Sequence, residues 1–114
     1  MPDPIRGELW FGFLDPTIGH EQGGKRPLLV LSDDNFNRSG AGLVIVAPLT
    51  SRDKRMPWHV SVDPPEGNLK IRSYIKCEDI RSVSKLRLTH HLGEVDPSTT
   101  DEVEYRLKLL LSLS

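Results

Sequence analysis

Apolar and polar residues alternate with period two over residues 6–14 (RGELWFGFL), with Leu9, Phe11 and Phe13 on one side and Glu8, Trp10 and Gly12 on the other. Such alternation with aromatic enrichment predicts a half-buried strand whose inner face is Leu9, Phe11 and Phe13. A polar loop with three glycines follows over residues 15–24. Pro27 pushes Arg26 into extended backbone, so a second strand starts near Arg26 and runs to Leu31, apolar on both faces. Residues 33–42 read as a turn-rich connection. Residues 43–49 (LVIVAPL) read as a third strand, with Pro48 marking a sheet edge or the strand's end, because proline cannot donate to a ladder. Further strands are predicted at 57–62, 73–77 and 89–95, with a turn at 63–68 and a short helical link at 84–88. Many short strands divided by turn signals predict a small, mainly β barrel.

The C-terminal pattern changes period. Val103, Leu107, Leu110 and Leu111 keep helical spacing, and Leu109 and Leu113 widen the stripe. Asp96 stands as an N-cap before Pro97 at the first helical position. Asp101, Glu102 and Glu104 precede Arg106 and Lys108, the order that a helix dipole favours. The apolar stripe is wider than one small barrel needs to cover, which predicts an interface.

At 114 residues the chain has room for one domain over residues 1–114 and for a core without covalent staples. One cysteine, Cys77, excludes an internal disulfide and any CxxC metal site. No run of apolar residues is long enough to span a bilayer, and the opening residues lack the basic-then-apolar order of a leader. A soluble, cytoplasmic protein with no membrane partner is expected. The net charge of −1 conceals an asymmetry: residues 94–104 hold five acids and no Lys or Arg, which leaves +4 on the rest. A polyanionic partner is therefore compatible with the charge.

Three clusters carry candidate chemistry. The first is His20-Glu21-Gln22-Gly23-Gly24-Lys25-Arg26-Pro27, where two glycines let a carboxylate and a guanidinium fold toward each other and let a phosphate approach the backbone. An exposed Glu21–Arg26 ion pair holding a surface loop is the plain alternative. The second is Thr50-Ser51 at a strand end, two hydroxyls suited to a phosphate oxygen or to capping a turn. The third, Glu78-Asp79-Ile80-Arg81, reads equally as a solvated strand end. His59, His90 and His91 lack metal-ligand spacing, and adjacent His90 and His91 point to opposite faces of a strand. No metal or cofactor is expected.

Taken together, Arg6-Gly7-Glu8, Asp15-Pro16-Thr17 and the 19–27 block resemble the opening signature of the MazF/PemK/Kid toxins. Val46-Ala47-Pro48-Leu49-Thr50-Ser51, Pro57-Trp58-His59-Val60, Cys77-Glu78-Asp79-Ile80-Arg81-Ser82-Val83, Arg87 and Leu92-Gly93 continue it in order, nearly to the C-terminus. The resemblance implies an SH3-like barrel of the CcdB/MazF type with a C-terminal helix. It also implies a homodimeric, ribosome-independent endoribonuclease of a toxin–antitoxin module. Cleavage of single-stranded RNA without metal, leaving 2′,3′-cyclic phosphate and 5′-hydroxyl ends, is expected, with neutralisation by a cognate antitoxin. The family's catalytic arginine, threonine and glutamate fall on Arg26, Thr50 and Glu21. RNA is expected over His20, Gln22, Ser51, Lys54, Arg55, Glu78, Asp79 and Arg81, and an acidic antitoxin tail over Arg52, Lys54 and Arg55.

Between Glu21 and His20 as general base, the resemblance favours Glu21, and His20 has the better-placed ordinary pKa. A CcdB-like toxin that binds a protein target such as gyrase is the alternative; the coexistence of Glu21, Arg26 and Thr50 favours the nuclease. One departure stands out: Asp79 replaces the glutamine of most relatives. An ionised carboxylate accepts hydrogen bonds and cannot donate them, which predicts an altered base preference, unless Asp79 merely pairs with Arg81 or Lys76.

Overall fold

The structure, a computed structural model, describes residues 2–114. Among these residues seven strands form one antiparallel sheet: β1 (Glu8–Phe13), β2 (Lys25–Val30), β3 (Leu43–Thr50), β4 (His59–Val62), β5 (Ser73–Lys76), β6 (Arg81–Ser84) and β7 (Leu88–Glu94). Two helices complete the chain, α1 (Asp34–Arg38) and α2 (Pro97–Leu110). The strand order is β4-β5-β3-β2-β1-β7, and β6 pairs separately with β3. The mainly β architecture with a C-terminal helix is as the sequence predicts.

The centre of this sheet is β3. One side pairs with β2, while the other takes β6 along residues 43–46 and β5 at Leu49 and Thr50. Ala47 and Pro48 fall where the partner changes. Pro48 is thus neither at an edge nor at a strand end; it occupies the gap in the ladder, where a missing N–H goes unused.

Both sheet faces are buried. Leu9, Leu29, Leu31, Ala47, Leu49 and Ile75 join Val103 of α2 in one core, and Trp10, Leu28, Val30, Val44, Val46 and Leu88 form a second. The two-faced second strand follows from this arrangement. The expected inner face of β1 does not: Trp10 is buried in the second core, whereas Phe11 is half-buried against His90 and Phe13 is exposed beneath Lys25. Period two sorts residues by face, and here each face has its own core, so both Leu9 and Trp10 go inside.

Two further elements escape the sequence pattern. The 33–42 connection contains α1, capped by the Asp33 carboxylate accepting from Asn35 N–H and anchored by buried Asn37, which donates to Pro4 and Ser32 carbonyls. Residues 81–83, assigned to no element, form β6 together with Ser84, and the predicted helical link is a single turn over Lys85–Arg87. Helix α2 begins at Pro97 as predicted, but the Asp96 side chain makes no cap bond. Glu66 takes that role across the fold, accepting from Asp96 N–H at 2.9 Å and Thr99 Oγ1 at 2.6 Å. Within α2, Val103 is buried and Leu107 packs on the core, while Tyr105, Leu109, Leu110, Leu111 and Leu113 remain 41–64% exposed in the single chain. The second half of the helix runs past the sheet beside Pro57 and Trp58. No helix among the described residues is long and apolar enough to cross a membrane.

Candidate functional site

Arg26 lies on β2 opposite Gly12 of β1. A side chain at Gly12 would meet the Arg87 carbonyl oxygen at 2.7 Å and Leu28 at 2.9 Å, so glycine is what lets the strands close beneath the arginine. Arg87 secures the base of the following loop, donating from Nη1 to the carbonyls of Asp15 (2.6 Å) and Phe13 (3.3 Å). The loop then returns tightly. Gly24 has φ +78°, and its N–H donates to the Asp15 carboxylate; a Cβ at Gly23 would stand 2.6 Å from that same carboxylate. Both glycines are required, one by backbone angle and one by space.

The guanidinium is aimed by this loop. Nε donates to the Gly23 carbonyl at 2.6 Å. The Gln22 carboxamide lies between Arg26 and Lys76; with its oxygen turned to the guanidinium it accepts from Nε at 2.7 Å and Nη2 at 2.9 Å. Thr50, at the end of β3 and paired with Tyr74 of β5, is only 4% exposed. Its Oγ1 accepts from Arg52 N–H at 3.2 Å, which leaves the hydroxyl proton to donate elsewhere.

Gln22, Arg26, Thr50, Ser51, Arg52 and Lys54 enclose a polar cavity of about 330 Å³. Its lining carries three cations and no carboxylate. A larger cleft of about 510 Å³ between Arg6 and the start of α2 is lined by Asp34, Glu94 and Asp101 against one arginine, an unsuitable environment for a polyanion. The small cavity, with its cationic lining, is the better suited of the two to an anion. A planar guanidinium, a neighbouring hydroxyl and two further cations match the oxygens of a phosphodiester.

The sequence-predicted residues divide accordingly. Gln22, Arg26, Thr50, Ser51 and Lys54 converge on the cavity, joined by Arg52. Asp79 and Arg81 lie against the loop: Asp79 Oδ2 accepts from Gln22 N–H at 2.7 Å and from Arg81 Nη2 at 2.7 Å, with Lys76 Nζ at 3.9 Å. Asp79 thus pairs with Arg81 and stands near Lys76, and it also holds the Gln22 N–H. Glu21 and His20 are exposed on the loop and do not line the cavity; Glu21 Oε1 accepts from Ile18 N–H at 2.7 Å. The Glu21–Arg26 ion pair considered from the sequence does not form, because Arg26 turns to carbonyl and amide acceptors instead. Arg55 is exposed nearby, and Glu78 pairs with the buried His59 at 2.9 Å. Lys76, only 4% exposed, had no signal in the sequence, where it reads as an ordinary strand residue. His90 stacks on Phe11 while His91 meets Trp10 and Glu8, on opposite faces. Among the described residues no three His, Cys, Asp or Glu side chains converge as metal ligands. Burial pushes the Cys77 thiol from 9.0 to about 12 against the opposing pull of Arg106, so it stays protonated at neutral pH.

Comparison with known proteins agrees with this geometry. Residues 5–111 match the model of the PemK-like, MazF-like toxins of type II toxin–antitoxin systems. Endoribonuclease EndoA of Bacillus subtilis is 35% identical over 109 residues, covering 95% of this chain and 94% of that protein. The crystal structure of MazF from Deinococcus radiodurans superposes with a TM-score of 0.88 at 33% identity, covering 98% and 99% of the two chains. A mycobacterial endoribonuclease in complex with its cognate antitoxin superposes at 0.78 with 26% identity, covering 100% and 98%. With the matched span, the sequence identity and the superposed fold in agreement, the chain belongs to the PemK-like, MazF-like toxins of type II toxin–antitoxin systems.

Proposed function

We propose that this toxin is an endoribonuclease that cuts single-stranded RNA by attack of a ribose 2′-oxygen on the adjacent phosphate, without metal. The observation that carries the reading is the convergence of Arg26, Thr50, Arg52 and Lys54 on one carboxylate-free cavity. The base takes the 2′-hydroxyl proton as the O2′–P bond forms and the P–O5′ bond breaks; a 2′,3′-cyclic phosphate results, negative charge grows on the phosphorane oxygens, and the leaving 5′-oxygen takes a proton from water. Arg26 and the Thr50 hydroxyl stabilise that charge. Arg26 remains protonated throughout, since guanidinium does not release its proton in a protein. Glu21 is kept as the base on the strength of the family resemblance; it is exposed and outside the cavity lining, so it must swing from its Ile18 N–H bond toward the substrate hydroxyl. His20, Ser51 and Arg55 border the cavity in sequence and complete the RNA path, with Glu78 further along it.

Two partners belong to the same reading. The exposed leucines of α2, with Pro57 and Trp58, form the contact of a homodimer. A disordered acidic antitoxin tail covers Arg52, Lys54 and Arg55 and thereby blocks the cavity; the antitoxin complex of the mycobacterial relative supports such a partner. A CcdB-like protein-binding toxin has no use for a guanidinium and a threonine hydroxyl converging on one anion cavity.

The test is to incubate the purified protein with single-stranded RNA in EDTA and sequence the 5′-hydroxyl ends. Discrete cut sites are expected. Intact RNA, or cleavage abolished by EDTA, would overturn the proposal.

A further inference from the structure

Beyond the Arg87 bonds at its base, the loop that aims Arg26 is clamped to the barrel through the backbone of one residue, Gln22. Asp79 Oδ2 accepts from the N–H of Gln22, and Arg81 Nη2 donates to the carbonyl oxygen of the same residue at 2.9 Å. The two clamping side chains are bonded to each other at 2.7 Å. These bonds join positions 57 and 59 residues apart, whereas Glu21–Ile18 and Gly24–Asp15 are bonds of the loop to itself. Gln22 and Gly23 in turn supply the acceptors that orient the Arg26 guanidinium.

We propose that Asp79 and Arg81 are positioning residues for cleavage, acting through the Gln22 peptide on the direction of Arg26. The inference rests on the ribonuclease reading above and deepens it. It also gives the carboxylate at position 79 a role that a neutral amide fills less well. Lys76, Arg81 and Arg26 crowd about the Gln22 segment, and Asp79 is the carboxylate among them. Charge-assisted bonds to an ionised acceptor are about twice as strong as neutral ones. Arg81 Nε is buried with no acceptor, so Nη2 carries the polar bonds of this guanidinium among the described residues. Remove Asp79, and Arg81 keeps only the Gln22 carbonyl while three cations face one another. The loop peptide then loses its N–H acceptor, and Arg26 loses its fixed aim.

Asp79→Ala is expected to lower kcat about 10- to 100-fold, the scale of a misdirected group near the reacting atoms, with KM for a short RNA changed less than about threefold. Asp79→Asn keeps an acceptor for Gln22 N–H without the charge and is expected to recover only part of that loss. Amide hydrogen exchange provides a reading independent of catalysis. In Asp79→Ala the Gln22 amide should exchange faster while amides of β3 keep their protection, which also shows that the variant is folded. The set of cleaved sequences should stay that of the parent protein. Wild-type kcat in Asp79→Ala, or an unaltered Gln22 exchange rate, would overturn the clamp. A changed cleavage sequence at undiminished kcat would overturn it too, and would make Asp79 a reader of bases. A parent protein that cuts no RNA would sink the ribonuclease reading separately, and the exchange rates would still decide the clamp.

Discussion

The two halves of the candidate site, the strand residues at the cavity and the loop beside it, are built on different supports. Arg26 and Thr50 stand on β2 and β3, whose neighbours Leu28 and Leu49 are fully buried in the two cores. His20, Glu21 and Gln22 stand on a glycine-hinged loop that buries almost nothing and is tied to the barrel chiefly through Asp79, Arg81 and Arg87. The strand half has its backbone positions set by the same packing that stabilises the fold. The loop half is set by a handful of polar bonds, so it can change without loss of the fold. Under the proposed mechanism, catalytic charge would therefore sit on the rigid part, and its aim and the proton acceptor on the adjustable part.

The largest effect is expected where this contrast predicts rigid, direct contact with the reacting phosphate. Arg26→Ala and Thr50→Ala should each lower the cleavage rate by about 10²–10³ with melting temperatures near that of the parent, because one preorganised donor to a developing anion is removed. Rate assays with thermal unfolding check this. A Gly23→Ala change acts on the other half: the new Cβ pushes the Asp15 carboxylate off Gly24 N–H and shifts the loop beneath Arg26. About a tenfold fall in kcat is expected, with no loss of folding stability beyond a local one. Equal losses from Gly23→Ala and Arg26→Ala would erase the distinction between the halves.

At the rim, Lys54→Gln with Arg55→Gln should raise KM at low salt and flatten the dependence of log KM on log salt by about 0.7 for each phosphate no longer neutralised. Titrating KM against salt measures it. Buried in the core and absent from the cavity lining, Cys77 should leave cleavage at neutral pH unchanged and act on alkaline stability. Its folded pKa is raised, so the unfolded chain ionises first, and stability is lost as pH climbs from about 9 toward 12. Cys77→Ala should remove that slope from a plot of melting temperature against pH.

How much of this was legible in the sequence follows the same division. Strands β2 and β3 announced themselves by continuous apolar runs, and Thr50 could be placed at a strand end without any structure. Strand β1 misled at Trp10 and Phe13, because alternation predicts one buried face, whereas Leu9 and Trp10 enter cores on opposite faces and the Leu9 face is exposed at Phe13. Helix α1 was hidden because its anchors, Asn37 and Asp33, are polar residues typical of turns. Strand β6 was hidden because the short RSVS segment buries only Val83. The aim of Arg26 was illegible for a different reason. It depends on Asp79 and Arg81, more than 50 residues away, and no local pattern reports a polar bond of that range.

The most direct test of the central claim uses a single RNA strand with one mapped cleavage site and its twin carrying a 2′-deoxyribose on the 5′ side of the scissile phosphate. The first strand should be cut to a 2′,3′-cyclic phosphate and a 5′-hydroxyl end in EDTA, and the twin should survive at that position. Cleavage of the deoxy-substituted strand there would contradict the claim, since Arg26 and Thr50 would then be serving an attack by some nucleophile other than the neighbouring 2′-oxygen.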